Sequence, residues 1–323
     1  MSTDDAPLPY RLTLPARRTT SVIFASPHSG RDYPEAFLRR SVLNAQMIRS
    51  SEDAFIDQLL EPAPGLGAPL LAATVPRAYV DLNRAAEELD PALIEGARPV
   101  PHNPRVASGL GVIPRVVAGG RAIRPGKMSL AEAEARIAGA WRPYHAALAA
   151  LMDGAVAEFG EAILIDVHSM PHEAVDSAST RSPRPQIVLG DRFGATAAPD
   201  IVDQIEGAFA AEGLRVSRNI PFAGAYVVQA HGRPSRGRHA VQIEIDRALY
   251  MDEVLIAPHE GYGAFAALMR GVLGRIVVIG VQEMPLAAEW GAPIRPLGSG
   301  GKGRGTASTP PVRNECTRSR WQQ

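Results

Sequence analysis

Two segments of this chain share one form: an apolar run, then a histidine followed by serine. They are Val22-Ile23-Phe24-Ala25-Ser26-Pro27-His28-Ser29-Gly30 and Ile163-Leu164-Ile165-Asp166-Val167-His168-Ser169-Met170-Pro171. A short apolar run bounded by turn residues predicts a buried strand of a parallel or mixed sheet. Ligands of open α/β sheets bind outside the carboxyl ends of the strands. A histidine just past such a strand therefore stands where chemistry is usually built, and two of them can converge on one metal ion. A lone loop histidine is more often structural; the matched pair favours function.

Strand-like and helix-like stretches alternate from residue 20 to about 290, which predicts a single α/β domain with a mixed central sheet flanked by helices. Strands are expected at 22–26, 70–75, 162–167, 186–189, 224–228, 240–246 and 276–281. Helices are expected at 51–60, 129–158, 199–212 and 258–273. The helix from Ser129 is the clearest, because Ser129 and Glu132 form a capping box. Residues 91–126 form a long Pro-, Gly- and Arg-rich loop, a type that often covers an active site. Residues 1–19 are expected to be an extension, 20–290 the catalytic domain and 291–323 a disordered, Gly- and Arg-rich tail.

Lys+Arg and Asp+Glu both number 34, so nothing in the global charge calls for nucleic acid or an anionic membrane. The one cysteine, Cys316, excludes an intramolecular disulfide and a cysteine-based zinc site, so zinc here would need histidine and carboxylate ligands. The first twenty residues lack the apolar core of a signal peptide, and no run of about 18 apolar residues is evident, so a cytoplasmic location is expected.

A hydrolytic zinc site needs about three protein ligands and an open position. His28 and His168 supply two. Glu52 is the leading third candidate, in the first turn of the helix expected at 51–60, although the sequence separates it poorly from the adjacent Asp53. Alternation in Ala240-Val241-Gln242-Ile243-Glu244-Ile245-Asp246 puts Gln242, Glu244 and Asp246 on one strand face. Such a face is usually solvated, yet a general base needs a carboxylate held over the metal, and Glu244 is the candidate. Arginines in Pro76-Arg77-Ala78-Tyr79-Val80-Asp81-Leu82-Asn83-Arg84 and His231-Gly232-Arg233-Pro234 suit an anionic substrate.

Together these segments resemble N-formylglutamate amidohydrolases. The resemblance rests on Ser26–Gly30, Asp81–Arg84, Gly109–Arg115, Asp166–Pro171, His231–Pro234 and Gln242–Met251, in that family's order. It implies a zinc-carboxypeptidase-like (phosphorylase/hydrolase-like) fold and hydrolysis of N-formyl-L-glutamate to formate and L-glutamate, closing a histidine-degradation route. It further implies one zinc per chain on His28, Glu52 and His168, with Glu244 as base. Asn83 and Arg84 would grip the substrate carboxylate, with Arg77 and Arg233 as further anion-binding residues. The sequence departs from the carboxypeptidase pattern at Arg31, where those relatives carry the ligand glutamate three residues after the first histidine. A basic residue common in family members is also missing before His231. Rival readings are a carboxypeptidase-like peptidase or another N-acyl amino acid deacylase, a serine hydrolase using Ser29 or Ser169, and a non-catalytic carboxylate-binding protein. No Gly-x-Ser-x-Gly elbow surrounds either serine.

Overall fold

A computed structural model describes residues 8–98, 103–178 and 184–281. The seven strands of the central sheet are β1 (Tyr10–Thr13), β2 (Val22–Ser26), β3 (Leu70–Ala73), β4 (Ala162–Met170), β5 (Ile187–Gly190), β6 (Val216–Arg218) and β7 (Arg238–Asp246), in the order β1-β3-β2-β4-β7-β5-β6. β1 runs antiparallel to β3, and β7 antiparallel to β5. The remaining pairs are parallel.

The sheet is covered on both faces, as its mostly parallel pairing requires. Helix α1 comprises Leu130–Arg136, a π turn at Ile137–Trp141 and Arg142–Phe159. With α3 (Tyr226–His231) it packs on Ile23, Ala25, Leu164 and Ala240. Helices α2 (Pro199–Ala210) and α4 (Tyr262–Ile279) cover the opposite face at Val22, Phe24, Ile163, Ile165, Val241 and Ile243. Successive strand residues alternate between these two cores, so the period of two decides which side chains face α1 and α3. Asp166, His168, Gln242 and Glu244 share that side.

Several expectations hold. Strands near 22–26, 70–75, 162–167, 186–189 and 240–246 form, as does the α1 helix, whose Ser129 Oγ accepts the Glu132 N–H at 3.2 Å. Two expected strands are helical instead. Residues 224–228 lead into α3, because a short apolar run fits either structure by periodicity alone. Residues 276–281 largely complete α4, since Ile276 and Val277 are buried there as part of its apolar stripe, and packing overrides their β-branched preference.

The 51–60 helix shrinks to Ile56–Leu59, because Phe55 adopts a left-handed φ of 68°. Two short edge strands, β1 and β6, carry no apolar run and gave no signal. β1 lies in the stretch expected to be an extension and pairs with β3. The expected tail at 291–323 lies outside the described residues.

Helix α4 has the length and hydropathy of a membrane span, with a mean hydropathy of 1.5, which corrects the expectation that no such run exists. Phe265, Met269, Val272, Leu273, Ile276 and Val277 are buried against the sheet side, so core packing accounts for that stripe of it.

Candidate active site

β2 and β4 are parallel neighbours, with Ala25 opposite Asp166, so their carboxyl ends lie side by side. His28 stands two residues beyond β2 and His168 near the end of β4. Their Nδ1 atoms face each other at 3.1 Å. Gly30 allows the chain beyond His28 to turn against the end of β3: a Cβ there would lie 2.0 Å from the Val75 carbonyl oxygen.

Asp53 completes the group. Its backbone N–H donates to the His28 carbonyl at 3.0 Å, which ties its loop to the end of β2. Its Oδ2 lies 2.9 Å from His168 Nδ1 and 3.5 Å from His28 Nδ1. All three residues are buried, and their ligand atoms lie within 4.8 Å of one another.

The outer ring nitrogens have carboxylate partners. His28 Nε2–H donates to Asp81 Oδ1 at 2.8 Å, and His168 Nε2–H to Asp166 Oδ2 at 3.0 Å. These outer partners favour the proton on Nε2 and leave both Nδ1 atoms facing Asp53, as N–H donors when the rings are charged and as lone pairs for a bound cation. Two inward imidazole nitrogens, a buried carboxylate and an outer carboxylate for each ring could hold a metal ion.

The electrostatics agree with a cation-seeking centre. Burial pushes the Asp53 carboxyl up, but hydrogen bonds from His168 and His28 overcome it and hold the group well below the usual carboxylate range. Burial likewise opposes ionisation of Asp81, yet Arg77, His28 and Arg84 keep its carboxyl low. His168 is desolvated, but Asp166 and Asp53 raise its pKa well above the ordinary imidazole value.

Glu244 pairs in register with His168 across the β4–β7 ladder and accepts from Gln242 Nε2 at 2.8 Å. Burial pushes it up to about 7, His168 and Arg77 oppose that, and the Asp53 charge adds to it. A carboxylate poised near neutrality beside a metal site suits proton transfer.

These groups open into a cavity of about 500 Å³. The long loop does cover the site: Arg105, Leu110, Pro114 and Val116–Gly120 line the cavity. Its ring of arginines consists of Arg77, Arg84, Arg105 and Arg247.

The sequence from residue 20 to 251 matches the profile of the N-formylglutamate amidohydrolase family. The chain belongs to the N-formylglutamate amidohydrolase family. It is 32% identical over 240 residues to an N-formylglutamate deformylase of Pseudomonas aeruginosa, covering 73% of this chain and 84% of that one. An N-formylglutamate deformylase of Pseudomonas putida is 29% identical, with 72% of this chain and 82% of that protein covered. The crystal structure of N-formylglutamate amidohydrolase from Ralstonia eutropha JMP134 superposes with a TM-score of 0.79 at 37% identity, over 85% of this chain and 99% of that one.

Within this family member, Glu52 is not beside the histidines, which corrects the sequence expectation. With Phe55 left-handed, residues 52 and 53 sit in a turn and diverge. The Glu52 carboxylate accepts from Tyr33 Oη at 2.7 Å and pairs with Arg49 Nη2 at 3.0 Å. Asp53 takes the inward position. Arg233 is also elsewhere: it is exposed, off the cavity wall, and its Nη1 donates to the Gln229 and Gly232 carbonyls of its own turn.

Asn83 and Arg84 do line the cavity, but they differ in availability. The Asn83 side chain accepts Val227 N–H at 2.7 Å, and its Nδ2 lies 3.1 Å from His168 Nε2 and 3.3 Å from Gln242 Oε1, so its amide is engaged inside the protein. Arg84 donates from Nε to Leu110 O at 3.0 Å and from Nη1 to Asn83 O at 2.9 Å. Among the described residues its Nη2 has no hydrogen-bond partner. Trp141, in the π turn of α1, holds the Arg84 carbonyl at 2.8 Å, and His145 holds the Leu82 carbonyl at 2.9 Å. Arg77 lies on the cavity wall with its Nε on Asp81 Oδ2 at 3.0 Å.

Asp81, Asp166, Arg105 and Arg247 were not singled out as site residues. Asp166 carried a usable signal, since it lies two residues before His168 on one strand and must share its face. Arg247 holds the Glu52–Asp53 turn, donating to Glu52 O at 2.8 Å and Asp53 Oδ1 at 3.2 Å. That contact spans the fold and had no local pattern.

Proposed function

We propose that this protein is a zinc-dependent amidohydrolase that converts N-formyl-L-glutamate to formate and L-glutamate. The observation that carries the reading is the buried His28–Asp53–His168 group with Glu244 in register beside it, in a cavity ringed by arginine. Membership of the family supplies the substrate.

His28, Asp53 and His168 would hold the zinc, which when bound polarises a carbonyl and makes water more acidic. Asp81 and Asp166 keep the two imidazoles in the ligating tautomer. Glu244 accepts a proton from the attacking water and later delivers it to the leaving amine of glutamate. A value near 7 serves both directions at neutral pH. The Nη2 of Arg84, without a partner among the described residues, offers a charged donor to a substrate carboxylate, while Asn83 holds Arg84 and α3 in place. Arg77 neutralises Asp81, so its part is to steady the centre. In this role the protein would act on a small anionic acyl amino acid in the cytoplasm and close a histidine-degradation route.

The test is metal content of the purified protein together with formate release from N-formyl-L-glutamate, before and after chelation. About one zinc per chain and chelator-sensitive formate release are expected. Metal-loaded protein that leaves N-formyl-L-glutamate intact would overturn the substrate. Unchanged release after complete metal removal would overturn the metal role.

A further inference from the structure

Four guanidinium groups line the cavity, and they are not equivalent. Arg77 is held by Asp81. Arg247 is held by Asp53, with Glu253 at 3.7 Å on its other arm. Arg84 meets Glu88 only at 4.0 Å and otherwise spends its hydrogens on carbonyls. Arg105 is different again. It is exposed, and among the described residues its side chain has no carboxylate partner.

The backbone joins Arg105 to Arg84. Arg105 lies in the turn of helix Pro104–Ala107, which Asn103 caps through the N–H groups of Arg105 and Val106, each at 3.1 Å. The Leu110 N–H donates to the Arg105 carbonyl at 2.8 Å, and the Leu110 carbonyl accepts from Arg84 Nε at 3.0 Å. One residue thus ties both arginines to the same wall. Burial lowers the Arg84 pKa most, Asp81 opposes it, and Arg77 and then Arg105 lower it further, so Arg105 lies within electrostatic reach of Arg84. Two cations on one wall, with Glu88 no nearer to Arg84 than 4.0 Å and no carboxylate paired to Arg105 among the described residues, favour a ligand that brings two negative charges.

We propose that Arg105 determines specificity by pairing the side-chain carboxylate of the acyl amino acid, while Arg84 takes the α-carboxylate. This rests on the amidohydrolase reading above and adds the residue that selects an acidic amino acid over a neutral one. Arg77 is neutralised by Asp81, Arg247 is engaged by Asp53, Ser169 and the Glu52 carbonyl, and Arg233 is off the cavity wall.

The test compares N-formyl-L-glutamate with N-formyl-L-glutamine, which has nearly the same shape but no side-chain charge. Both are assayed with metal-loaded wild type, Arg105→Gln and Arg105→Lys. A lost charge-assisted pair corresponds to about 10- to 100-fold. Arg105→Gln should lower kcat/KM on N-formyl-L-glutamate by about that factor. It should leave N-formyl-L-glutamine within about twofold, and Arg105→Lys should restore part of the preference. Equal losses on both substrates, or an unchanged preference, would overturn the assignment alone. Wild type that releases formate from neither substrate would overturn the amidohydrolase reading and this assignment together.

Discussion

Replacing Asp81 by asparagine isolates the role of the outer carboxylates. One Asp81 oxygen accepts from both His28 Nε2 and the Asn83 backbone N–H at 2.8 Å, and the other accepts from Arg77 Nε at 3.0 Å. An amide in the same place must turn its NH2 group toward one of these donors. Arg77 is about a quarter exposed (24%) and can rotate toward water, so the amide oxygen should stay on His28. The His28 bond then changes from charge-assisted to neutral, from about 1.5–3 to about 0.5–1.5 kcal/mol. The difference of about 1–2 kcal/mol corresponds to a loss of roughly 5- to 30-fold in metal affinity. That overlaps the 10- to 100-fold range typical of such outer partners, about the same order. The assay is zinc affinity by competition with a chromophoric chelator at fixed pH, with thermal unfolding measured alongside. A folded Asp81→Asn protein that binds zinc within twofold of wild type would show that the Asp81 charge does not strengthen His28 as a ligand.

Three other outcomes follow from the same geometry. Asp53→Asn should lose metal affinity by more than about 100-fold, as expected when one member of a buried charged group is removed. Glu52→Gln should retain stoichiometric metal and show only a lower Tm from its weakened Arg49 pairing; metal content after dialysis separates the two, and loss in Glu52→Gln alone would reverse the assignment. Glu244→Gln should keep its metal while kcat falls by about 10²–10⁴, and near-wild-type turnover would remove Glu244 as the proton carrier.

Stability should also decline in acid. Burial, with His231 nearby, brings the His145 pKa down to about 3, and burial lowers His231 and His239 as well. Each stays neutral in the folded chain while its unfolded counterpart takes up a proton below about 6.5. Stability is therefore full above that pH and is lost as pH falls, by about 2 kcal/mol at pH 5 from His145 alone. Denaturant unfolding of His145→Gln should show a shallower acid slope than wild type, and identical slopes would refute the assignment to His145.

The parts of the fold with strong apolar runs were legible in the sequence. β2, β4 and β7 are buried on both faces, and they placed His28, His168 and Glu244 without any long-range information. What the sequence hid depended on single backbone angles or distant contacts. Glu52 and Asp53 are adjacent acids, and only the left-handed Phe55 and the Asp53–His28 backbone bond decide which points inward. Arg233 sits in a motif with His231, yet its turn carries it off the cavity wall. Arg105 lies in a Pro- and Arg-rich loop whose composition says nothing of direction. The Val-rich end of α4 shows the reverse case, where a strand-like run stays helical because its buried side chains face the sheet.

The pairing of Glu244 with His168 in one parallel ladder divides the labour of the molecule between its parts. Their separation is set by the fixed spacing between neighbouring strands, so neither rotamer nor loop can retune it far. The wall that meets the substrate comes, by contrast, largely from the segment 105–120, which is mostly irregular and tolerant of change. A chain built this way can exchange its clientele without rebuilding its chemistry. Loop grafts across residues 103–120 are where an engineer would seek a different acyl amino acid, leaving the bond-breaking centre as it stands.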